Sequence, residues 1–153
     1  MKKLYFICML AVVAICFAGC KDKNAPESFN GNVARPTWTA PGVSDITSSM
    51  TAVIKVDLKA QYPETAADWQ PSVNDLLAAF SGETCLGVAQ PQDGLFLLYI
   101  AAPVTGNPSS VTLRYYSAHY KNLFEAKDAF RFINDDHLGT IAEPFKPAFV
   151  VAK

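Results

Sequence analysis

The chain has 153 residues, half of them hydrophobic, with 13 basic against 14 acidic side chains for a net charge of −1. That length supports one domain of ordinary size with one core, and the near-neutral balance leaves no basic field for nucleic acid. There are only two histidines and no phosphate-binding glycine loop, serine elbow or paired-histidine zinc helix, so the sequence carries no common catalytic signature.

Met1 to Cys20 opens on Lys2 and Lys3, continues as an uncharged apolar run from Leu4 to Ala18 and ends Phe17-Ala18-Gly19-Cys20. This is the three-part layout of an export signal. The apolar run is 15 residues long, roughly 22 Å as a helix at about 1.5 Å per residue, and is short against a hydrocarbon core of about 30 Å. Two small residues directly before a cysteine resemble the bacterial lipobox, with Phe17 where Leu is commoner. The resemblance implies cleavage before Cys20, a thioether-linked diacylglycerol on Cys20 and, in many bacteria, a third acyl chain on its amine. Each buried methylene contributes about 0.8 kcal/mol, so two or three chains hold a protein on a bilayer where one does not. An ordinary secretory signal with an incidental cysteine, or an uncleaved signal anchor, is the alternative. Cleavage leaves 153 − 19 = 134 residues with 13 − 2 = 11 basic against 14 acidic side chains. Cys8 and Cys16 depart with the signal and Cys20 is acylated, so Cys85 has no disulfide partner and stability must come from packing.

The expected organisation is therefore a signal peptide over 1–19, a lipidated Cys20 with a tether over 20–48, and a domain over 49–153. The tether is rich in Pro, Asn, Ser and Thr without apolar periodicity, and 28 flexible residues would give it roughly 30 Å of reach. Trp38 interrupts it, since a large aromatic usually packs on something, so its last part is expected against the domain. From Met50 to Leu58 apolar residues alternate with Thr51, Val53, Lys55 and Asp57, predicting a half-buried strand. Gln61 to Asp75 reads as a long connection with one helical turn around Thr65 to Trp69. Leu76–Phe80 and Thr84–Ala89 flank Ser81-Gly82-Glu83 as a hairpin. After the turn Gln92-Asp93-Gly94, Leu95–Ala101 is apolar on both faces and predicts a central strand covered on both sides. In Val111–Ser117, Val111, Leu113 and Tyr115 share one face, and Arg114 marks the other, with Thr112 and Tyr116, as the wetter. Leu123–Ala126 and Ala129–Ile133 are shorter candidates, and Phe145–Val151 is a last strand whose flanking and internal prolines favour an edge. Short strands about every ten residues, divided by turn residues, predict an all-β fold: one antiparallel β-sandwich, immunoglobulin-like or jelly-roll-like.

Several ordered segments resemble landmarks of a β-sandwich module common in exported proteins of the Bacteroidota: Ser49-Met50-Thr51-Ala52-Val53, Leu77-Ala78-Ala79-Phe80, Cys85-Leu86-Gly87-Val88-Ala89, Gly94-Leu95-Phe96, Leu113-Arg114-Tyr115-Tyr116, and Leu138-Gly139-Thr140 with Pro144-Phe145. The resemblance implies the sandwich fold and carries no catalytic residue. Lys21-Asp22-Lys23 is similar to the signal that sends lipoproteins of that lineage to the cell exterior, with Lys23 standing where a second acid is usual. The expected location is the outer membrane, with the cell surface ahead of the periplasmic face.

Four groups of residues are site candidates. Cys85 is a candidate nucleophile if His119 or His137 supplies a base, and a small core hydrophobe otherwise. Asn134-Asp135-Asp136-His137 gathers oxygen and nitrogen ligands, making Asp135 and Asp136 candidate calcium ligands; an acidic turn capping its own backbone is the alternative. Glu64 and Asp68 are the nearest thing to paired carboxylates, but they lie in a proline-bounded connection rather than on rigid strands. Trp38, Tyr62, Trp69, Tyr116 and Tyr120 fall in loops or on the wetter face, and Trp69, Tyr116 and Tyr120 with Arg114 would form a glycan-binding patch if exposed together. Burial at strand ends is the competing reading. The expected role is non-catalytic: glycan capture, or alternatively protein–protein adhesion at the envelope. No cofactor is implied beyond the candidate calcium.

Overall fold

The computed structural model of the protein describes residues 29–103 and 106–153. Cys20, the expected export signal and the first part of the expected tether lie outside the described residues.

Two sheets face each other. One is ordered β4-β5-β1-β8, built from β1 (Ile46–Ile54), β4 (Pro91–Gln92), β5 (Leu95–Pro103) and β8 (His137–Leu138). The other is ordered β3-β2-β6-β7-β9, from β2 (Leu76–Ser81), β3 (Thr84–Ala89), β6 (Thr112–Ser117), β7 (Asn122–Ala126) and β9 (Phe149–Val151). The protein is an all-β sandwich, as its turn spacing predicts. Every strand pair is antiparallel except β1 with β8, which runs parallel.

The alternation along β1 buries Met50, Ala52 and Ile54 and continues through Val56 and Leu58, all 4 % exposed or less. The ladder nevertheless ends at Ile54, and Leu58–Gln61 forms a helical turn, α1, capped by Asp57 Oδ1 accepting from the Ala60 N–H at 2.9 Å. The helical turn therefore lies ahead of Thr65–Trp69, where it was expected. The first hairpin forms as predicted, with Leu77 paired to Ala89 and Ser81 to Thr84. Gln92-Asp93-Gly94 turns with positive φ at Asp93 (50°) and Gly94 (77°), the combination that matches the twist of a tight hairpin. The strand from Thr84 to Gln92 passes from one sheet to the other, and its middle presses so closely on β5 that a Cβ on Gly87 would stand 2.0 Å from the Tyr99 carbonyl oxygen. Only glycine permits that approach.

The structure differs from expectation in three places. Packing begins ahead of Ser49: Phe29 is 1 % exposed and meets Tyr62, Tyr120 and Phe124 edge-on at 4.9, 5.6 and 5.2 Å. The Gly31 and Val33 N–H groups donate to the Tyr120 and Lys121 carbonyls. Apolar periodicity misses this segment because a single aromatic, held by a few backbone bonds, docks it. The outer face of β6 is the wetter one at Thr112 and Arg114, which are half-buried where Val111, Leu113 and Tyr115 are fully buried, but this same segment covers it at Tyr116, which is 5 % exposed and whose hydroxyl donates to the Val33 carbonyl. On β5, Phe96, Leu98 and Ile100 face the core, while Leu97 and Tyr99 are 47 % and 52 % exposed. The cover expected on its second side is lacking among the described residues. Of the short candidates, Ala129–Ile133 makes one bridge, Phe130 to Val111. The last strand is reduced to β9, at the sheet edge as its prolines imply.

Candidate functional site

The proposed glycan patch is not assembled. Trp69, Tyr116 and Tyr120 are 7 %, 5 % and 4 % exposed and take part in packing. The Trp69 indole N–H is buried near the Tyr115 hydroxyl with no partner in hydrogen-bonding geometry. Tyr120 donates to Asp68 Oδ1 at 2.7 Å, and His119 Nε2 lies 3.3 Å from Asp68 Oδ2. Those two hydrogen bonds hold the Asp68 carboxyl below its ordinary range, while burial and Asp68 push the Tyr120 hydroxyl up. Arg114 is committed elsewhere. Its guanidinium makes a two-point bond to Glu83 at 2.9 and 3.1 Å and stands 4.4 Å over the Phe80 ring, which Trp38 meets edge-on at 5.6 Å. Hydrogen bonding to Glu83 raises Arg114, and the same contact lowers Glu83. The sequence pattern cannot see this, because each ring finds its partner across a different strand.

Cys85 is half-buried, its thiol donates weakly to the Gly87 carbonyl at 3.7 Å, and burial raises its pKa. A raised thiol holds less of the nucleophilic thiolate at neutral pH. His119 is turned to Asp68 and His137 to Thr51, so neither histidine is bonded to it.

The acidic loop serves the backbone. Asn134 Oδ1 accepts from the Ser49 N–H and Asn134 Nδ2 donates to Asp135 Oδ2. Asp135, at φ 60°, donates its N–H to the Ser49 carbonyl, and Asp136 Oδ1 accepts from the His137 N–H. These bonds sew β8 onto β1. Among the described residues no group of three or more His, Cys, Asp or Glu is gathered as metal ligands, so Asp135 and Asp136 sit in a capping turn rather than a formed calcium shell.

Among the described residues one carboxyl group is fully enclosed. Asp75 is 0 % exposed; Oδ2 accepts from the Tyr115 hydroxyl at 2.8 Å and the Ser72 N–H at 2.9 Å, and Oδ1 accepts from the Ala118 N–H at 2.8 Å. Burial raises its pKa in spite of these three donors, and burial likewise raises Tyr115. Every polar partner of Asp75 belongs to the fold, which marks it as structural.

Two open surfaces stand out among the described residues. The first is the outer face of β1 and β5, where Thr51 is paired with Tyr99 and Val53 with Leu97, forming a shallow depression of about 230 Å³. His137 hydrogen-bonds Thr51 at its margin. The second is a cleft of about 650 Å³ at the end of β1, rimmed by Lys55, Lys59 and Lys146 and walled by Trp69, Ile141 and Pro144. One wall is a turn over Thr140–Glu143 that leaves the sheet between two parallel contacts with β1, Thr51 to His137 and Ile54 to Phe145. Leu97 and Tyr99 were legible only as strand residues, and the lysines, scattered in sequence, carried no signal.

No helix among the described residues is long and apolar enough to cross a membrane. No protein-family model, curated protein or solved structure matches the chain.

Proposed function

We propose that this chain is a lipid-anchored, non-catalytic binding protein of the bacterial outer membrane that recognises a protein partner through the open face of β1 and β5. The observation that carries it is Leu97 and Tyr99, neighbours on one face of a central strand, 47 % and 52 % exposed. Strands apolar on both sides belong to sheets with two covers, and this one has a single cover among the described residues. A partner laying an apolar surface over Val53, Leu97 and Tyr99 would supply the second, with Thr51 and His137 as a polar rim. Glycan capture by Trp69, Tyr116, Tyr120 and Arg114 has less support, since the three rings are buried and Arg114 is paired.

Anchoring rests on the lipobox-like Phe17-Ala18-Gly19-Cys20. Phe29 is nine residues beyond Cys20, so it lies within at most about 30 Å of the lipidated cysteine however the chain between is arranged. Partners are therefore proteins in or near the same membrane, with the exterior favoured by Lys21-Asp22-Lys23.

A photo-crosslinking side chain at position 99 in living cells tests the reading. A discrete adduct is expected there and not from the same group at Val73, which is 78 % exposed elsewhere, and Leu97→Asp should remove it. Equal adducts at both positions, or none at 99, would sink the proposal. Cys20→Ala should stop labelling by a fatty-acid analogue and release the protein from membranes; persistent labelling excludes the anchor.

A further inference from the structure

The lysine-rimmed cleft shares no lining residue with the open sheet face and has its own chemistry. Between Phe29 and Lys153 the chain carries 9 basic and 12 acidic side chains, a balance of 9 − 12 = −3, yet three of its six lysines in that stretch, Lys55, Lys59 and Lys146, surround one opening. All three are exposed, and among the described residues none is ion-paired. Unpaired like charges repel, so their convergence destabilises the free protein unless an anion joins them. The carboxylates in the lining are Asp57 and Asp93, and Asp57 is already engaged with the Ala60 N–H. The walls between the charges are apolar. Ile141 is 73 % exposed on its turn, facing the same opening as Pro71 and Pro144, and the buried Trp69 contributes to the lining. A volume of about 650 Å³ lies within the range of small-ligand sites, roughly 300–1,000 Å³.

We infer that this cleft binds an acidic oligosaccharide, its carboxylates or sulfates meeting the three ammonium groups and its ring C–H faces resting on Ile141, Pro71 and Pro144. A bare phosphate would leave the apolar walls unused. An extended peptide pairs with a free strand edge, and the edges of this sheet, β4 and β8, are two residues each.

Trp69 provides the reporter. The chain has two tryptophans, so Trp38→Phe in the full-length protein leaves Trp69 as the sole emitter. Titration with trigalacturonate at low salt is expected to shift its emission saturably. The neutral methyl ester of the same trisaccharide should bind at least about tenfold more weakly, and the combined Lys55→Gln, Lys59→Gln, Lys146→Gln variant should lose a similar factor. The variant alters exposed side chains without ion partners among the described residues and relieves their mutual repulsion, so it should melt no lower than the parent, and that retained stability separates lost binding from lost fold. Absence of a saturable shift with both trigalacturonate and a sulfated trisaccharide overturns the inference, as does equal binding of the methyl ester or full binding by the triple variant. Tighter binding of hexaglutamate than of either sugar overturns the saccharide assignment in favour of an acidic peptide. None of these outcomes touches the crosslink at position 99.

Discussion

Asp75→Ala is the perturbation that most directly probes what joins the start of β2 to the end of β6. The substitution deletes acceptors for three donors. The Tyr115 hydroxyl, on a residue 0 % exposed, would lose the carboxylate that accepts its proton, at a cost of about 1–3 kcal/mol. The Ser72 and Ala118 N–H groups are half-buried and can turn to water, so each loses only about 1 kcal/mol. Relief of the carboxylate's own desolvation offsets part of the total, leaving a net loss of about 3 kcal/mol. For a domain of this size that is a fall in Tm of about 10–15 °C. Urea and thermal unfolding followed by circular dichroism measure it. Tyr115→Phe should cost about 1 kcal/mol in the parent and nothing, or a gain, in the Asp75→Ala background, because there it removes a hydroxyl that has lost its carboxylate acceptor. A loss under about 1 kcal/mol for Asp75→Ala, or an equal cost of Tyr115→Phe in both backgrounds, would refute the reasoning.

Three further outcomes follow from the same structure. Phe29→Ala should lower unfolding stability by about 3–5 kcal/mol, the cost of emptying a packed aromatic site; a change below about 1 kcal/mol in a urea melt would return this segment to the tether. Gly139 has φ 75°, and an added Cβ would stand 2.6 Å from the Phe145 nitrogen and 2.7 Å from the Val53 carbonyl oxygen. Gly139→Ala should therefore cost about 2–3 kcal/mol, with faster proteolysis in the Thr140–Glu143 turn as the local readout. Burial raises Asp75 above its ordinary 3.8, so the folded state holds that proton more tightly than the unfolded one. Its contribution to stability is complete below 3.8 and declines as pH rises through the folded value. Asp68 and Glu83 are lowered and work in the opposite sense, so the check is the difference in stability between parent and Asp75→Asn across acid pH, which should show a downward slope belonging to Asp75 alone.

Much of the fold was legible in the residues. The alternation around Met50, Ala52 and Ile54, the hairpin at Ser81-Gly82-Glu83 and the turn at Asp93-Gly94 each state a local preference that the structure obeys. Edge placement of β9 follows from prolines that cannot donate to a ladder. The site was far less legible. Tyr116 and Arg114 occupy the face of β6 that a charge marks as wet, yet a segment over eighty residues earlier in sequence covers Tyr116, and Glu83 and Phe80 claim Arg114.

What the sequence determined by itself is what depends on near neighbours: period-two burial, turn chemistry and the resulting all-β class. What only the tertiary structure decided is which surfaces the layers leave open. Phe29 joins the core, Leu97 and Tyr99 stay uncovered, and Lys55, Lys59 and Lys146 come to one cleft because sheet order and a parallel contact between β1 and the 137–145 segment place them there. Exposure is a property of what packs over a residue, and packing joins residues whose separation along the chain no local pattern encodes.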